Sequence, residues 1–215
     1  MKLNALISVG IIASFQGVNL GLAVDLSGTT PGPFWATLIS STQYVSSCHY
    51  TASAGSTITF VSGDSAASLG YSRRGQSDSV VGGLAQPVNT TAYGFALVTV
   101  HQPISVVTRR GVMTGEVTRV VFDSTNPYNE PYFTHSVSLQ SGDSGAPTFD
   151  MSGNLVGTHH FSCGNGCGLD VLLGAVFGMQ PPAVSNEVDS ASAAAEARSN
   201  EPYVPLTRDV EMFLK

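Results

Sequence analysis

Short apolar runs, separated by turn-forming residues, recur along the middle of the chain. Residues 34–47 (FWATLISSTQYVSS) contain two such runs on either side of a Ser-Ser-Thr turn, and residues 56–63 (STITFVSG) alternate as a strand does. Residues 94–100 (GFALVTV) form a further apolar run, and residues 118–123 (TRVVFD) lead into an Asn-Pro turn. Each of these runs predicts a short β-strand.

A hairpin is predicted where residues 146–150 (APTFD) and 155–161 (LVGTHHF) flank a turn. Many short strands with turn signals are typical of a barrel or a sandwich. Residues 183–202 are instead rich in Ala, Ser, Asn and Glu and predict a flexible or weakly helical connector. Residues 207–215 have apolar positions at helical spacing behind a threonine cap, which predicts a C-terminal helix.

The composition favours an all-β, loop-rich protein over a nucleic-acid-binding one. Charged residues make up 11% of the 215 residues, and there are 23 glycines. The formal net charge is −6, and lysine occurs only at positions 2 and 215. Binding to a phosphate backbone needs clustered positive charge, which this chain lacks, so we expect no nucleic-acid partner.

The N-terminus has the layout of a secretory signal. Lys2 precedes an apolar stretch at residues 5–15, and the small residues of Gly21-Leu22-Ala23 follow. The stretch is too short for a stable membrane span, and a buried first strand is the alternative. We therefore expect residues 1–23 to be a signal peptide and the protein to be secreted or periplasmic.

The chain has three cysteines, so one thiol is left if the other two form a disulfide. Cys163 and Cys167 lie in the segment CGNGC, where the glycines permit a tight loop and a local disulfide in an oxidising compartment. A zinc site would need more ligands than this segment offers, so no metal is expected. Cys48 is predicted to be a buried thiol.

A serine between glycines is the main candidate for chemistry. In residues 138–149 (SLQSGDSGAPTF), Gly142 and Gly145 bracket Ser144 and let the backbone turn tightly against another molecule. The same composition also suits an ordinary hairpin turn. A serine becomes a nucleophile only when a base, usually histidine, takes its proton. Among the five histidines, His49 lies where a predicted strand leaves the sheet.

These segments resemble the chymotrypsin-fold, trypsin-like serine protease superfamily, and they are closest in look to its secreted bacterial members. Residues 37–50 (TLISSTQYVSSCHY) resemble the segment that carries the family's catalytic histidine, which matches His49. Residues 142–147 (GDSGAP) resemble the family's GDSGGP, which places Ser144 at the nucleophile. Residues 155–167 (LVGTHHFSCGNGC) resemble the strand and loop that follow, and the likeness covers roughly residues 24–182.

The resemblance implies roles for these residues. Ser144 attacks a carbonyl carbon, His49 takes and returns the proton, and the backbone N–H groups of Gly142 and Ser144 form the oxyanion hole. Asp143 shapes the loop. The family cysteine that matches Cys167 usually pairs with a position that here reads Gln140, so Cys163 is the implied partner.

The family's aspartate is the departure from the pattern. Residues 94–104 (GFALVTVHQPI) are the matching stretch, and the aspartate position reads Gly94. Loss of that aspartate can cost about 10⁴-fold in rate. Asp64 or Asp78 could reach His49 from a nearby loop, a Ser-His dyad could act alone, or the chain could be a catalytically impaired homologue acting as a secreted binding module.

The resemblance also implies that five residues meet the substrate: Ser138, Leu139, His159, His160 and Phe161. Ser138 lies at the base of the primary pocket and carries no charge, so a preference for Arg or Lys is not expected. His159 matches a histidine of glutamate-specific members, which could bind an acidic substrate side chain. The alternative is a strand histidine satisfied by its neighbours. The apolar Leu139 argues against an acidic side chain in the pocket.

The expected architecture is two packed six-stranded antiparallel β-barrels with a short C-terminal helix. The N-terminal barrel is expected to span residues 24–104, the C-terminal barrel residues 105–182, and a connector and helix residues 183–215. The expected function is a serine endopeptidase that acts on a polypeptide substrate and needs no cofactor. We expect a monomer.

Overall fold

Twelve strands and one short helix make up the described part of the chain. The structure is a computed structural model that describes residues 20–25, 33–48, 51–60, 63–88, 93–108, 110–140, 142–162 and 166–178. The predicted connector and the helix at residues 207–215 lie outside these residues, as do His49 and Cys163.

The strands form two closed six-stranded antiparallel barrels, which confirms the predicted fold class. The first barrel has the strand order β1-β2-β3-β6-β5-β4. Its strands are β1 Leu20–Asp25, β2 Pro33–Ser40, β3 Gln43–Ser47, β4 Thr57–Thr59, β5 Ser65–Arg73 and β6 Ser79–Leu84.

The second barrel has the order β10-β11-β12-β9-β8-β7 and leads into a short helix. Its strands are β7 Pro103–Thr108, β8 Gly111–Val121, β9 Tyr132–His135, β10 Pro147–Asp150, β11 Leu155–Ser162 and β12 Gly168–Leu172, and the helix α1 is Leu173–Phe177. No helix in the described ranges is long and apolar enough to cross a membrane.

Strand β2 is buried on both faces, because it lies between two cores. Phe34, Ala36 and Leu38 point into the core of the first barrel. Trp35 and Ile39 point to a second core, which the two barrels share. Successive side chains of a strand alternate between its faces, so one strand supplies both cores. This explains why residues 34–40 are a nearly continuous apolar run.

A tyrosine and a glycine face each other across β3 and β6. Tyr44 is paired with Gly82 in the strand register and is fully buried. A Cβ atom on Gly82 would lie within 2.4 Å of three atoms of the Tyr44 side chain. The ring therefore occupies the space that a side chain at position 82 would need, which makes glycine necessary on β6.

Two of the predicted hairpins are confirmed. Residues 34–47 form β2 and β3, and residues 146–161 form β10 and β11. The predicted strand at residues 56–63 is shorter than expected, since β4 spans only Thr57–Thr59. Residues 118–123 are the end of the long strand β8.

The predicted strand at residues 94–100 is wrong. In this segment only Phe95 makes an isolated bridge, to Leu155 of β11. The carbonyl of Gly94 accepts a hydrogen bond from the Leu155 N–H at 3.1 Å, so the segment lies along the second barrel. Phe95 is 3% exposed in the shared core, which accounts for its apolar character without a strand.

Candidate active site

The loop that carries Ser144 is held by hydrogen bonds within the loop itself. The N–H of Gln140 donates to Oδ2 of Asp143 at 2.9 Å, and the N–H of Asp143 donates to the Gln140 carbonyl at 3.0 Å. The side chain of Asp143 is 4% exposed. As expected, Asp143 shapes this loop, and Ser144 is consequently held between fixed neighbours.

Two N–H groups of this loop have no acceptor among the described residues. Within the part of the chain that the structure describes, the N–H groups of Gly142 and Ser144 donate no hydrogen bond. The N–H groups of Asp143, Gly145 and Ala146 all do. Backbone N–H groups are normally satisfied, so the two that remain are available to a ligand oxygen.

Glycine is required on both sides of Ser144. Gly142 has φ 92° and Gly145 has φ 80°, in the left-handed region that other residues rarely adopt. The carbonyl of Gly142 accepts a hydrogen bond from Nε1 of Trp35 at 3.2 Å. Because Trp35 lies on β2, this bond ties the serine loop of the second barrel to the first barrel.

The same loop packs closely against the end of β3. A Cβ atom on Gly145 would lie 3.1 Å from the backbone nitrogen of Ser47 and 3.3 Å from Cβ of Trp35. Ser47 is the last residue of β3, and Cys48 and His49 follow it along the chain. The fold thus brings the loop of Ser144 to the chain segment that leads directly into His49.

Asp78 lies at this same end of the first barrel. It directly precedes β6, and Ser47 of β3 pairs with Ser79 of β6. The carbonyl of Asp78 accepts the N–H of Cys48 at 2.5 Å. Asp64 precedes β5, whose other end pairs with the start of β6 through Arg73 and Val80. A nine-residue strand is about 30 Å long, so Asp64 lies far from this end.

The match of the family's aspartate position to Gly94 stays a prediction, and the fold offers Asp78 as another candidate. In the first barrel β3 pairs with β2 and β6, and residues 94–100 form no strand of that barrel. The residue that precedes β6 is Asp78.

His160 links Asp78 to a buried glutamate from the second barrel. Nε2 of His160 lies 3.3 Å from Oδ2 of Asp78, and Nδ1 lies 2.5 Å from Oε1 of Glu130. The contact with Glu130 is an ion pair without the angles of a good hydrogen bond. The other glutamate oxygen, Oε2, accepts the N–H of Asp78 at 3.0 Å. Burial opposes charge on His160, but Asp78 and Glu130 outweigh it and raise the pKa of His160.

His159 faces the interior of the second barrel. Its Nδ1 lies 3.3 Å from Oδ1 of Asp170, which is fully buried. Nε2 of His135 lies 3.0 Å from the same oxygen, and Thr148 donates its hydroxyl to Oδ2. Burial outweighs these contacts and lowers the pKa of His159. The arrangement matches the alternative of a strand histidine satisfied by its neighbours.

The nitrogen of His135 that accepts a hydrogen bond can be assigned from its surroundings. The N–H of Val137 donates to Nδ1 of His135 at 3.2 Å, so Nε2 carries the proton that Asp170 accepts. Burial alone would raise the pKa of Asp170, but His135 and His159 outweigh burial and hold that pKa well below its usual range. Asp170 is thus a buried carboxylate satisfied by its neighbours.

The remaining expected substrate residues lie in different surroundings. Leu139 is 4% exposed in the core of the second barrel. Ser138 is half-buried, and its carbonyl accepts a hydrogen bond from Nη2 of Arg110 at 2.7 Å. Phe161 is half-buried and stacks on His160 with ring centroids 3.9 Å apart. Their contact with a substrate stays a prediction.

The prediction for Cys48 is confirmed, and the predicted disulfide partner of Cys167 stays untested. Cys48 is buried and forms no disulfide, as predicted. Cys167 is engaged in a disulfide. Its predicted partner Cys163 lies outside the described residues, so that pairing stays a prediction. No group of three or more His, Cys, Asp or Glu side chains in the described ranges is arranged to hold a metal ion.

Sequence reasoning missed Glu130 and Asp170 and treated Asp78 only as one of two alternatives. The signal for Asp78 was an aspartate directly before the apolar segment 79–84 (SVVGGL). Glu130 had no local signal, because it lies in a loop between β8 and β9 and acts on residues distant in sequence. The charged residue within an otherwise apolar strand was the signal for Asp170.

Comparison with solved structures finds similar proteins, whereas comparison by sequence finds none. No protein-family model matches the chain, and no curated protein matches it. The Rv3671c protease in its inactive form is 14% identical over 81% of this chain and 93% of its own, with a TM-score of 0.59. The active form, from M. tuberculosis, is 13% identical over 84% of this chain and 90% of its own, also with a TM-score of 0.59.

A further similar structure is the HtrA-type protease AlgW with a tripeptide. It is 14% identical over 76% of this chain and 60% of its own, with a TM-score of 0.58. At such low identity the likeness concerns the fold. The chain thus shares the chymotrypsin-like double-barrel fold of these serine proteases.

Proposed function

We propose that this chain is a serine endopeptidase. Ser144 attacks the carbonyl carbon of a peptide bond, and His49 takes the hydroxyl proton and returns it to the leaving amine. The N–H groups of Gly142 and Ser144 bind the oxyanion, and one such donor is worth about 3–4 kcal/mol to the transition state. Asp78 orients His49 and stabilises its protonated ring.

The observation that carries this proposal is the meeting of three segments at one place. The loop of Ser144 packs on Ser47 through Gly145. Ser47 lies two residues before His49 in the sequence, and Cys48, between them, donates its N–H to Asp78. Nucleophile, base and carboxylate therefore come from chain segments in mutual contact, as a proton-transfer triad requires. The similar solved structures are also proteases, which supports the proposal.

A catalytically impaired binding module is the rival hypothesis, and its main argument was Gly94. With Asp78 available beside the segment of His49, that argument no longer applies. The N–H groups of Gly142 and Ser144, which have no acceptor among the described residues, also favour an active enzyme, since a binding module has no need of an oxyanion hole. We keep the rival only as an outcome of the experiment.

The proposal includes a substrate and a location. An extended polypeptide would add as a strand beside β11, near Phe161, with Ser138 at the base of its primary pocket. The uncharged Ser138 does not favour a basic side chain there. A disulfide at Cys167 fits an oxidising compartment, so we propose that the protein acts outside the cytoplasm.

The proposal can be tested by labelling the full-length protein with a fluorophosphonate probe, which reacts with activated serines. We expect wild-type labelling and none in Ser144→Ala or His49→Ala. Ser152→Ala is the matched control, because Ser152 is an exposed serine in the β10–β11 turn. Correctly folded wild-type protein that does not react would overturn the proposal and favour the binding module.

A further inference from the structure

We propose that Glu130 and His160 form a buried ion pair that positions the carboxylate of Asp78. The inference rests on the proposed function, in which Asp78 orients His49. It assigns a role in the reaction to two residues that do not touch the substrate's reacting atoms. Both come from the second barrel, whereas Asp78 comes from the first.

Two carboxylates flank the ring of His160 and favour its protonated form. Its two nitrogens face two different carboxylates, with Nε2 3.3 Å from Asp78 and Nδ1 2.5 Å from Glu130. A neutral imidazole carries one proton, so one nitrogen would present a lone pair to a carboxylate oxygen. The imidazolium avoids this repulsion and is attracted to both carboxylates. His160 is 9% exposed and Glu130 is 1% exposed, so water does little to screen these charges.

The charges of the cluster explain why a glutamate is needed. Asp78 carries −1 and a protonated His160 carries +1, so these two alone would be neutral. A neutral pair would stabilise a protonated His49 poorly, since that ring needs a negative partner. Glu130 adds −1 and restores a net charge of −1 for the three groups. The site thus gains a fixed cation beside Asp78 without losing its negative charge.

Glu130 is itself held rigidly. It ends the loop between β8 and β9, where Nδ2 of Asn126 donates to its carbonyl at 2.8 Å. Its Oε2 accepts the N–H of Asp78 at 3.0 Å, a bond across the two barrels. Glu130 therefore fixes the backbone of Asp78 directly and its carboxylate through His160. A stacked ring, Phe161, covers one face of the imidazole.

The charged groups around His160 set the direction of its pH dependence. Asp78 faces it from the start of β6, Glu130 from the β8–β9 loop, and Asp170 from β12. His159, its neighbour on β11, has a pKa that burial lowers, and the charge of His160 lowers it further. The carboxylates prevail, so His160 loses its proton only as the pH rises through a pKa above the ordinary histidine value. The positioning of Asp78 is accordingly lost at alkaline pH.

The test compares the rate of fluorophosphonate labelling against pH for wild type, Glu130→Gln and the double variant His160→Ser/Glu130→Gln. Glu130→Gln leaves the protonated His160 with Asp78 as its carboxylate partner. We expect labelling of this variant at neutral pH to slow by about 10- to 100-fold. The double variant keeps a hydroxyl donor near Asp78 and restores the net charge of −1. We expect it to recover part of the lost rate and to lack the alkaline decline of wild type.

The matched control is Glu116→Gln with His101→Ser. These residues form a similar pair on the surface, 3.8 Å apart. The side chain of His101 is 80% exposed and that of Glu116 is 53% exposed. The control should label like wild type. Labelling of Glu130→Gln at the wild-type rate, or a double variant slower than the single one, would overturn the inference while leaving the proposed function intact.

Two further results would also test the inference. If Glu130→Gln fails to fold, the imidazole resonances of His160 in wild type, assigned by their loss in the single variant His160→Ser, still report its charge. Titration at or below the ordinary histidine value would overturn the ion pair. Wild-type protein that never labels would overturn the proposed function itself, and the role of the pair in catalysis with it.

Discussion

Nη2 of Arg110 lies 3.7 Å from Oδ2 of Asp143, the residue that precedes Ser144. The same Nη2 donates to the carbonyl of Ser138 at 2.7 Å. Arg110 comes from the turn between β7 and β8 and is partly exposed, whereas Asp143 is buried. A side chain of a neighbouring hairpin therefore braces the loop that carries Ser144.

Replacing Arg110 should loosen this loop more than it destabilises the fold. Because the guanidinium is partly exposed, the ion pair itself is worth no more than about 1 kcal/mol. We expect Arg110→Ala to slow fluorophosphonate labelling by about tenfold, since the N–H groups of Gly142 and Ser144 lose their fixed positions. Arg74→Ala, in an exposed turn, is the control and should label normally. Equal rates for both variants would contradict the bracing role.

Replacing Gly145 should disrupt the contact between the serine loop and β3. Gly145→Ala places a Cβ 3.1 Å from the nitrogen of Ser47 at a φ of 80°. Gly153 has a similar φ of 84° but nothing within 4 Å of its Cβ position. We expect Gly153→Ala to lower the free energy of unfolding by about 1 kcal/mol through backbone strain alone. Gly145→Ala should cost at least about 1 kcal/mol more, measured by urea denaturation. Similar losses in both would show that the contact with Ser47 is easily relaxed.

Asp78 should matter for the reaction, and Asp64 should not. We expect Asp78→Asn to reduce the rate of fluorophosphonate labelling by about 10⁴-fold, because an amide cannot hold the protonated base. Asp64→Asn changes a carboxylate at the far end of β5 and should leave the rate unchanged. The reverse result would mean that a different group orients His49.

Asp170 should make the fold sensitive to acid. Its pKa in the folded protein is lowered, so its contribution is fully present above the unfolded value near 3.8 and is lost as the pH falls toward the folded value. The pKa of His159 is lowered too, and its contribution fades as the pH falls below about 6.5. We expect stability to decrease below pH 6.5 and more steeply below pH 4 in urea titrations.

The variant Asp170→Asn isolates the carboxylate's part of this effect. It should cost about 3 kcal/mol at pH 7, because it removes the partner of two buried histidines. The difference from wild type should shrink below pH 4, where the carboxylate's contribution is lost. A difference that stays constant down to pH 2 would show that Asp170 acts through packing and not through its charge.

The position of strand β1 is relevant to where a signal peptide could be cleaved. Leu20 to Ala23 are four of the six residues of β1, which pairs with both β2 and β4. Cleavage after Ala23, as the sequence predicts, would remove most of the strand that closes the first barrel. We expect deletion of residues 1–19 to preserve the melting temperature and deletion of residues 1–23 to lower it by several degrees. Equal melting temperatures would support cleavage at Ala23.

The sequence alone determined the features that rest on local chemistry. The hairpins at residues 34–47 and 146–161 follow from apolar runs joined by turn residues, and both are present. The loop of Ser144 follows from the glycines at positions 142 and 145, whose left-handed backbone only glycine adopts readily. The two-barrel fold followed from the resemblance that these segments carry.

Only the tertiary structure decided which carboxylates and which histidines lie together. Asp78 lies beside Cys48 because Ser47 pairs with Ser79, and strand register depends on the packing of the whole barrel. Glu130 and Asp78 are 52 residues apart and meet where the two barrels pack together. The apolar segment at residues 94–100 resembled a strand because the shared core buries Phe95 and Val98 packs in the second barrel. Burial makes residues apolar whether or not they pair, so hydrophobicity alone could not distinguish a barrel strand from a connection packed against one.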